Sequence, residues 1–229
     1  MQSTPRQRVM IAGASGFIGQ RLLRLLLADT RIAEVHAFVR RPLPDTLTAS
    51  APARLVQHVQ DLGALDQLAP DFSADAAFNC LGTTIKVAGS QDAFRAVDQD
   101  AVLAFARLAR RAGVRHFLSV SAIGASPRSG NFYSRVKGEV EQSLRAMDFE
   151  TLTLLQPSLL TGEREEFRAG ERVGQWLSAP ISPLMIGPLA AYRPVSGDIV
   201  AGAMTGAAHD TRPGTRVLTR NDMLALLRR

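Results

Sequence analysis

A glycine-rich turn near the start of the chain constrains the fold more than any other feature. The apolar run Val9–Ala12 is followed at once by Gly13, Gly16 and Gly19, and then by leucines at helical spacing. A strand, a tight glycine turn and a helix in this order predict the start of a βαβ unit. Glycine there lets the backbone approach a pyrophosphate at the helix N-terminus, although a glycine turn without a ligand gives the same pattern. The expected dinucleotide contacts are Gly13, Ser15, Gly16, Phe17, Ile18 and Gly19.

Strands and helices alternate along the rest of the chain. Five further apolar runs predict strands, at residues 35–39, 55–59, 76–80, 116–121 and 151–155. Helices are expected at residues 91–111, 132–147 and 198–208, followed by a strand at 216–218 and a helix at 221–227. This alternation implies a parallel sheet with right-handed crossovers. We therefore expect an α/β fold, a Rossmann-like doubly wound parallel sheet with helices on both faces, as a single domain of residues 1–229.

The regular pattern loosens beyond Pro157, where glycines and prolines interrupt short apolar pieces. One helix is expected there, at residues 171–177. We expect residues 158–195 to form a small insertion that covers a substrate. Trp176 and Met185 fit either the lining of a substrate pocket or ordinary apolar packing beneath the cover.

Composition excludes several classes of protein. The chain has 46% hydrophobic and 21% charged residues, which is ordinary globular usage and argues against a disordered or fibrous protein. No apolar run has the length of a membrane span, and the N-terminus lacks the pattern of a signal peptide. The single cysteine, Cys80, agrees with a reducing compartment. We therefore expect a cytoplasmic protein without membrane contact.

Polynucleotides and metal ions are disfavoured as ligands. The net charge is +6, and four arginines cluster near residues 107–115, but no aromatic residues alternate with them to stack bases. A basic surface is therefore favoured over nucleic-acid binding. His58, His116 and His209 have no companion ligands at metal-site spacing, so no metal site is predicted.

The end of the second predicted strand bears on the choice between NAD and NADP. In NAD sites an acid about 20 residues past the glycine turn bonds the ribose hydroxyl, whereas an arginine accommodates the phosphate of NADP. This chain has Arg40 and Arg41 there and no acid nearby, which favours NADP(H) over NAD(H). Solvated surface arginines remain the alternative. Asp61, after the third strand, fits an adenine contact and a helix cap equally well.

Tyr133 and Lys137 are the strongest candidates for proton chemistry. They lie four residues apart in the helix predicted over residues 132–147, with Asn131 as its N-cap, and so share one face. An ammonium beside a phenol favours the phenolate and lowers the pKa of the tyrosine. The same spacing also arises by chance on surface helices.

The chain resembles the short-chain dehydrogenase/reductase superfamily in its small atypical branch, and most closely the group of Tat-interacting oxidoreductases. The resemblance extends over nearly the whole chain and is carried by residues 79–84, 97–98, 131–133 and 136–141. It implies an active site of Ser121, Tyr133 and Lys137. Tyr133 would exchange a proton with a carbonyl or alcohol oxygen, Ser121 would hydrogen-bond that oxygen, and Lys137 would bind the nicotinamide ribose. The further cofactor contacts implied are Leu62, Cys80, Leu81, Gly82, Thr83, Pro157, Ser158 and Leu159.

Two features of this site leave alternatives. Ser119 lies on the same strand face as Ser121, although Ser121 is nearer the carboxyl end where such sheets bind ligands. Many relatives carry an asparagine that holds a water in a proton relay, where this chain offers Asp98 and Asp100, so the relay is not expected.

The function expected from these residues is NADP-dependent oxidation or reduction of a carbonyl or alcohol on a small organic molecule. Epimerase or dehydratase chemistry starts with the same hydride step and stays open. A cofactor-binding regulator that senses the nicotinamide pool through a protein partner is the alternative from another class. The chain is expected to be a monomer or a homodimer.

Overall fold

Within the residues that the structure describes, seven strands form one parallel sheet. The structure is a computed structural model, and it describes residues 6–44, 46, 51–161, 193–210 and 212–228. The strands are β1 (Gln7–Ala12), β2 (Ile32–Val39), β3 (Arg54–Val59), β4 (Ala76–Asn79), β5 (His116–Val120), β6 (Thr151–Leu155) and β9 (Gly214–Leu218). Their order is β3-β2-β1-β4-β5-β6-β9, and every neighbouring pair is parallel. The predicted doubly wound α/β fold is confirmed.

Helices cover both faces of this sheet. They are α1 (Phe17–Ala28), α2 (Ile85–Ala88), α3 (Gln91–Arg95), α4 (Ala101–Arg111), α5 (Phe132–Arg145), α6 (Gly197–Ala208) and α7 (Arg220–Leu226). One core cluster joins α1 and α6 to alternate strand residues such as Ile11, and a second joins α4 and α5 to the intervening ones such as Met10. Strands buried on both faces read as continuous apolar runs, which is why they were visible in the sequence. Among the described residues, no helix is long and apolar enough to cross a membrane.

The helix predicted over residues 91–111 is present, and it contains a π-helical turn that the sequence did not predict. Helix α3 passes into a π-helical turn, Ala96–Asp100, before α4 begins. A π turn carries an extra residue and changes which side chains face the core. It places Asp98 in the interior, where the side chain is only 1% exposed.

The ends of the predicted insertion lie side by side. Strands β7 (Leu160–Thr161) and β8 (Val195–Ser196) pair in parallel in a separate small sheet. The predicted helix at 171–177, together with Trp176 and Met185, lies outside the described residues. That residues 158–195 cover a substrate therefore stays a prediction.

The arginine cluster of α4 is bound within the protein. Arg107 pairs with Asp66 at 2.5 Å, and Arg111 donates to main-chain carbonyls of the segment 65–68. The guanidinium of Arg110 lies 5.4 Å from the centre of the Phe149 ring. These contacts fasten α4 to neighbouring segments of the protein.

His116 makes the stability of this fold depend on pH. The ring is buried on β5, with Nε2 at 2.9 Å from Thr153 Oγ1. Burial, reinforced by the charge of Arg216, lowers the pKa of His116 from 6.5 to about 4. The unfolded chain therefore binds the extra proton first, and stability is lost as the pH falls from about 6.5 towards about 4. This group should make the free energy of unfolding about 2 kcal/mol lower near pH 5 than near pH 7.

Urea unfolding of the wild type and of His116→Gln at both pH values tests this expectation. Glutamine can bond Thr153 but does not titrate, so its stability should change less with pH than that of the wild type. His209→Gln, at a partly exposed histidine, should remove less of the slope. An unchanged slope in His116→Gln would contradict the assignment.

Candidate functional site

The glycine turn between β1 and α1 has the close packing that the sequence predicts. Gly13 has a φ of +80°, and its carbonyl accepts a hydrogen bond of 2.9 Å from Gly16 N. A Cβ at Gly19 would lie 1.9 Å from Gly13 O, and a Cβ at Gly13 would lie 2.6 Å from the main-chain carbonyl of Cys80. A side chain at either position would force the backbone apart, so these two glycines are required by the packing of the turn.

Helix α1 begins after an exposed glycine. Its N-cap residue, Gly16, makes no side-chain capping bond, so the amides of the first turn of this 12-residue helix are not capped by that residue's side chain. Such amides, with the helix dipole, bind phosphate. Ser15 is exposed beside them, whereas Ile18 is buried in the core and offers only its main chain.

This turn lies where the sheet changes direction. Strands β1 and β4 are neighbours, and the chain leaves them toward opposite edges of the sheet, which is where doubly wound sheets bind ligands. Cys80 follows β4 and donates its main-chain N–H to Ala12 O at 2.9 Å. Burial raises the pKa of the Cys80 thiol to about 12, and its sulfur lies 3.9 Å from Met204 Sδ. The thiol is therefore protonated at neutral pH.

The predicted NADP residues lie at the ends of the next strands. Arg40 and Arg41 are exposed after β2, and within the described part of the chain neither guanidinium has an ion pair or hydrogen bond. Asp61 caps the 3₁₀ helix Leu62–Gln67 and accepts from Gly63 N at 3.0 Å. The helix-cap role of Asp61 is thus observed, while the adenine contact stays a prediction. Leu62 is buried beneath this cap.

Helix α5 brings the predicted tyrosine and lysine together. Asn131 caps the helix and accepts from Ser134 N at 3.1 Å, which confirms the predicted start. Tyr133 is 36% exposed, and its ring centre lies 5.7 Å from that of Phe94. Lys137, one turn later, is only 5% exposed. The phenol thus lies at the surface of the site and the ammonium in its interior.

A buried ion pair fixes Lys137. Its Nζ lies 2.8 Å from Asp98 Oδ1, and Asp98 Oδ2 accepts from Thr83 N at 2.7 Å. A Cβ at Gly82 would lie 3.5 Å from Asp98 Oδ1 and 3.8 Å from Lys137 Nζ. The ion pair therefore lies against the segment that follows β4, which also touches the glycine turn. The sequence offered Asp98 only as a replacement for asparagine and gave no signal of this pair.

The pKa of Tyr133 depends on its burial and on two neighbouring charges. Burial raises it above the ordinary 10.0, Lys137 lowers it, and Asp98 raises it again. Lys137 thus lowers the pKa of this phenol as expected, but burial and the carboxylate outweigh the ammonium, so the net pKa lies above its usual value. Since the ring is about one-third exposed, water screens part of each effect. Tyr133 is therefore protonated at neutral pH.

Ser121 has a partner that the sequence analysis did not identify. Its hydroxyl donates to Glu141 Oε1 at 2.5 Å, and Gln156 donates to the same oxygen at 2.8 Å. Arg145 donates to the other oxygen at 3.1 Å. A serine has one O–H to donate, so this hydroxyl cannot also donate to a substrate carbonyl while it bonds Glu141. The alternative, Ser119, accepts from Asn79 Nδ2 at 2.9 Å inside the core.

The predicted contacts after β6 lie at the root of the insertion. Pro157 is buried, and its carbonyl accepts from Ile123 N at 2.9 Å. Ser158 Oγ donates to Arg193 O, and Leu159, 52% exposed, accepts from Val195 N at 3.0 Å. Their contact with a cofactor stays a prediction.

Comparisons with known proteins agree with this geometry. Residues 13–182 match the model of a family described as NAD(P)H-binding. Protein HTATIP2 of Rattus norvegicus is 40% identical over 171 residues, which are 74% of this chain and 68% of the rat protein. The protein FMP52, mitochondrial, of Eremothecium gossypii is 32% identical over 222 residues, 96% of each chain.

Solved structures share the fold at low identity. MoeE5 in complex with UDP-glucuronic acid and NAD has a TM-score of 0.67 at 19% identity, over 95% of this chain and 80% of that chain. A putative NAD-dependent epimerase/dehydratase from Bacillus halodurans has a TM-score of 0.63 at 19% identity, over 91% of each chain. At this identity the likeness supports the Rossmann-like architecture alone.

Gly19 provides a test of the dinucleotide turn. In Gly19→Ala the added Cβ must push the turn away from α1, because it would lie 1.9 Å from Gly13 O. We expect affinity for reduced dinucleotide to fall at least about tenfold and stability by about 1–3 kcal/mol. Fluorescence titration and urea unfolding measure the two effects.

The control is Gly206→Ala on α6, where a Cβ would meet only Leu226 Cβ, at 4.0 Å. This variant should retain both properties. A folded Gly19→Ala protein with wild-type affinity would contradict the role assigned to the turn.

Proposed function

Since this chain belongs to the NAD(P)H-binding family of short-chain dehydrogenase/reductases, we propose that it is an NADP-dependent oxidoreductase that interconverts a carbonyl and an alcohol on a small organic molecule. The observation that carries the proposal is the place of Lys137. Its ammonium lies against Gly82. Gly82 belongs to the segment after β4, which contacts the glycine turn on one side and α5 on the other. One crevice can therefore receive a dinucleotide and present an acid-base pair to it.

The residues around the crevice fit such a cofactor. The main chain of residues 13–19 would hold the pyrophosphate, because the two close-packed glycines leave the amides of α1 accessible. Gly82, Thr83 and Lys137 would lie along the nicotinamide ribose, with Pro157 to Leu159 on the far side. When bound, the nicotinamide supplies the hydride.

The proton is assigned to Tyr133. Its raised pKa keeps the phenol protonated at neutral pH, which suits donation to a carbonyl oxygen as negative charge develops there. Lys137 holds its charge near the phenol and stabilises the phenolate that donation leaves. Ser121, whose O–H bonds Glu141, can accept a hydrogen bond from a substrate alcohol through its free lone pairs.

Removal of the phenolic hydroxyl of Tyr133 should lower the turnover number strongly and leave the affinity for NADPH nearly unchanged. The NADPH-loaded protein is mixed with a panel of aldehydes, ketones and quinones, and the absorbance of the reduced nicotinamide is followed. We expect Tyr133→Phe to lower the turnover number by about 100-fold or more, because general acid catalysis contributes that much. Its affinity for NADPH should stay within about twofold of the wild type, since the phenol donates a proton and does not hold the phosphates.

The matched control is Tyr192→Phe, which removes the only other tyrosine hydroxyl of the chain. Tyr192 lies in the segment predicted to cover the substrate, and the turnover number of this variant should fall far less than that of Tyr133→Phe. Tight NADPH binding without oxidation by any member of the panel would contradict the proposal and favour a cofactor sensor that acts through a partner. An epimerase would return the hydride, and would show product without net loss of NADPH.

We propose that the protein prefers NADP over NAD because of Arg40 and Arg41. Both guanidinium groups are exposed and, among the described residues, unpaired, so they are available to a ribose phosphate. In Arg40→Ala/Arg41→Ala we expect NADPH affinity to fall about tenfold or more and NADH affinity to change less than about twofold. Calorimetric titration with each dinucleotide measures both.

Arg115→Ala is the control for general charge. Arg115 is also exposed, but it precedes β5 and so lies where the parallel strands begin, whereas Arg40 and Arg41 lie where they end. It should not change the preference. Equal losses of NADPH and NADH affinity in the double variant would contradict recognition of the ribose phosphate.

The cellular location and the oligomeric state stay predictions. The FMP52 relatives are named mitochondrial, so the expected cytoplasmic location is not confirmed by the comparisons. We retain the cytoplasm as the proposed location and a monomer or homodimer as the proposed assembly.

A further inference from the structure

Asp98 occupies an unusual place for a charged residue. It lies in the π turn between α3 and α4, and its side chain is 1% exposed. Turns of this kind inside α-helices occur frequently at functional sites. The turn places the carboxylate between α5 and the segment that follows β4.

Each oxygen of this carboxylate has one partner. Oδ1 lies 2.8 Å from Lys137 Nζ, and Oδ2 accepts from Thr83 N at 2.7 Å. Lys137 is itself 5% exposed, so water screens the pair weakly. The carboxylate therefore holds the lysine against the cofactor side of the crevice and neutralises its charge.

The other cations of α3 and α5 have partners of their own, and the acids Asp92 and Asp100 act on Arg95. Phe94 of α3 offers an apolar ring, and the next cation on α3, Arg95, pairs with Glu139 of α5 at 2.6 Å. Arg135 of α5 donates to main-chain carbonyls at residues 129 and 130. The charges that act on the phenol are thus Lys137 and Asp98.

We propose that Asp98 is a positioning residue that fixes Lys137 at the turn of Gly82 and Thr83 and offsets its charge, which favours the protonated phenol of Tyr133 and thus carbonyl reduction. This inference rests on the proposed function. Reduction needs the protonated phenol: a hydride supplied by a bound nicotinamide would add to the carbonyl carbon, the π electron pair would move to the oxygen, and the proton would pass from Tyr133 to that oxygen. Alcohol oxidation needs the phenolate and is therefore displaced to higher pH.

Asp98→Asn separates this role from a purely structural one. Asparagine can still accept from Thr83 N through its amide oxygen, but it carries no charge. In a Tyr192→Phe background, Tyr133 is the only tyrosine, so the absorbance of the phenolate as a function of pH reports this residue alone. We expect Asp98→Asn to move the titration to lower pH by about one unit.

Two further readouts belong to the same experiment. The alkaline loss of carbonyl reduction should move to lower pH together with the titration of the phenol. Asp100→Asn, the same change at an exposed position of the same π turn, should leave the titration where it was. An unmoved or upward-shifted titration in Asp98→Asn would overturn the inference.

A second pair of variants keeps the test decisive if Asp98→Asn fails to fold around an unpaired Lys137. Lys137→Met and Asp98→Asn/Lys137→Met leave no buried cation, and Tyr133 should titrate at lower pH in the double variant, which lacks the carboxylate. Identical titrations would overturn the inference.

The titration also separates the two proposals, because it needs no substrate. If the wild type reduces no substrate but Asp98→Asn still shifts the titration of Tyr133, the oxidoreductase proposal is refuted and the charge effect of Asp98 stands. Turnover without the shift would refute only the inference about Asp98.

Discussion

The close approach of two backbone segments, where β1 and β4 end, is the constraint on which the candidate site depends. Gly13 turns the chain with a positive φ, and its Cα faces the carbonyl of Cys80 with no room for a Cβ. This contact fixes the N-terminus of α1 on one side. On the other side it fixes the segment of Gly82 and Thr83, against which Lys137 and Asp98 lie. A phosphate site and an acid-base site therefore share one piece of main chain.

The ion pair of Lys137 and Asp98 extends this constraint to two helices. Two charges buried to this extent need each other, since removal of one partner leaves the other without solvent or counter-ion. The pair consequently ties α5 to the π turn, and through Thr83 to the end of β4. Such a pair is weak support for stability in itself, because desolvation offsets much of its attraction. Its effect is to hold the ammonium at one point in the crevice.

The features predictable from sequence are those with local signals. Both-faced burial makes the strands apolar runs, the glycine spacing predicts the first turn, and Asn131 marks the start of α5. The partner of Lys137 was not predictable, because a regular helix does not indicate that a π turn will carry Asp98 inward. The net direction of the Tyr133 pKa shift was not predictable from sequence for a related reason. Spacing in the sequence gives the neighbouring cation, but not the burial or the carboxylate that outweigh it.

The hydrogen-bond partner of Ser121 was not predictable from sequence either, and it bears on which residue donates the proton to a substrate. Strand alternation places its side chain on the face of α5, yet only the structure reveals that Glu141 accepts its hydrogen. Tyr133, Lys137 and Glu141 occupy successive turns of α5, and the last two have their charges matched by Asp98 and Arg145. In the part of the chain that the structure describes, Tyr133 is the member of this series whose polar group has no hydrogen-bond partner. A substrate oxygen that enters the crevice therefore meets the phenol as the available donor, which is the basis for assigning the proton transfer to Tyr133 rather than to Ser121.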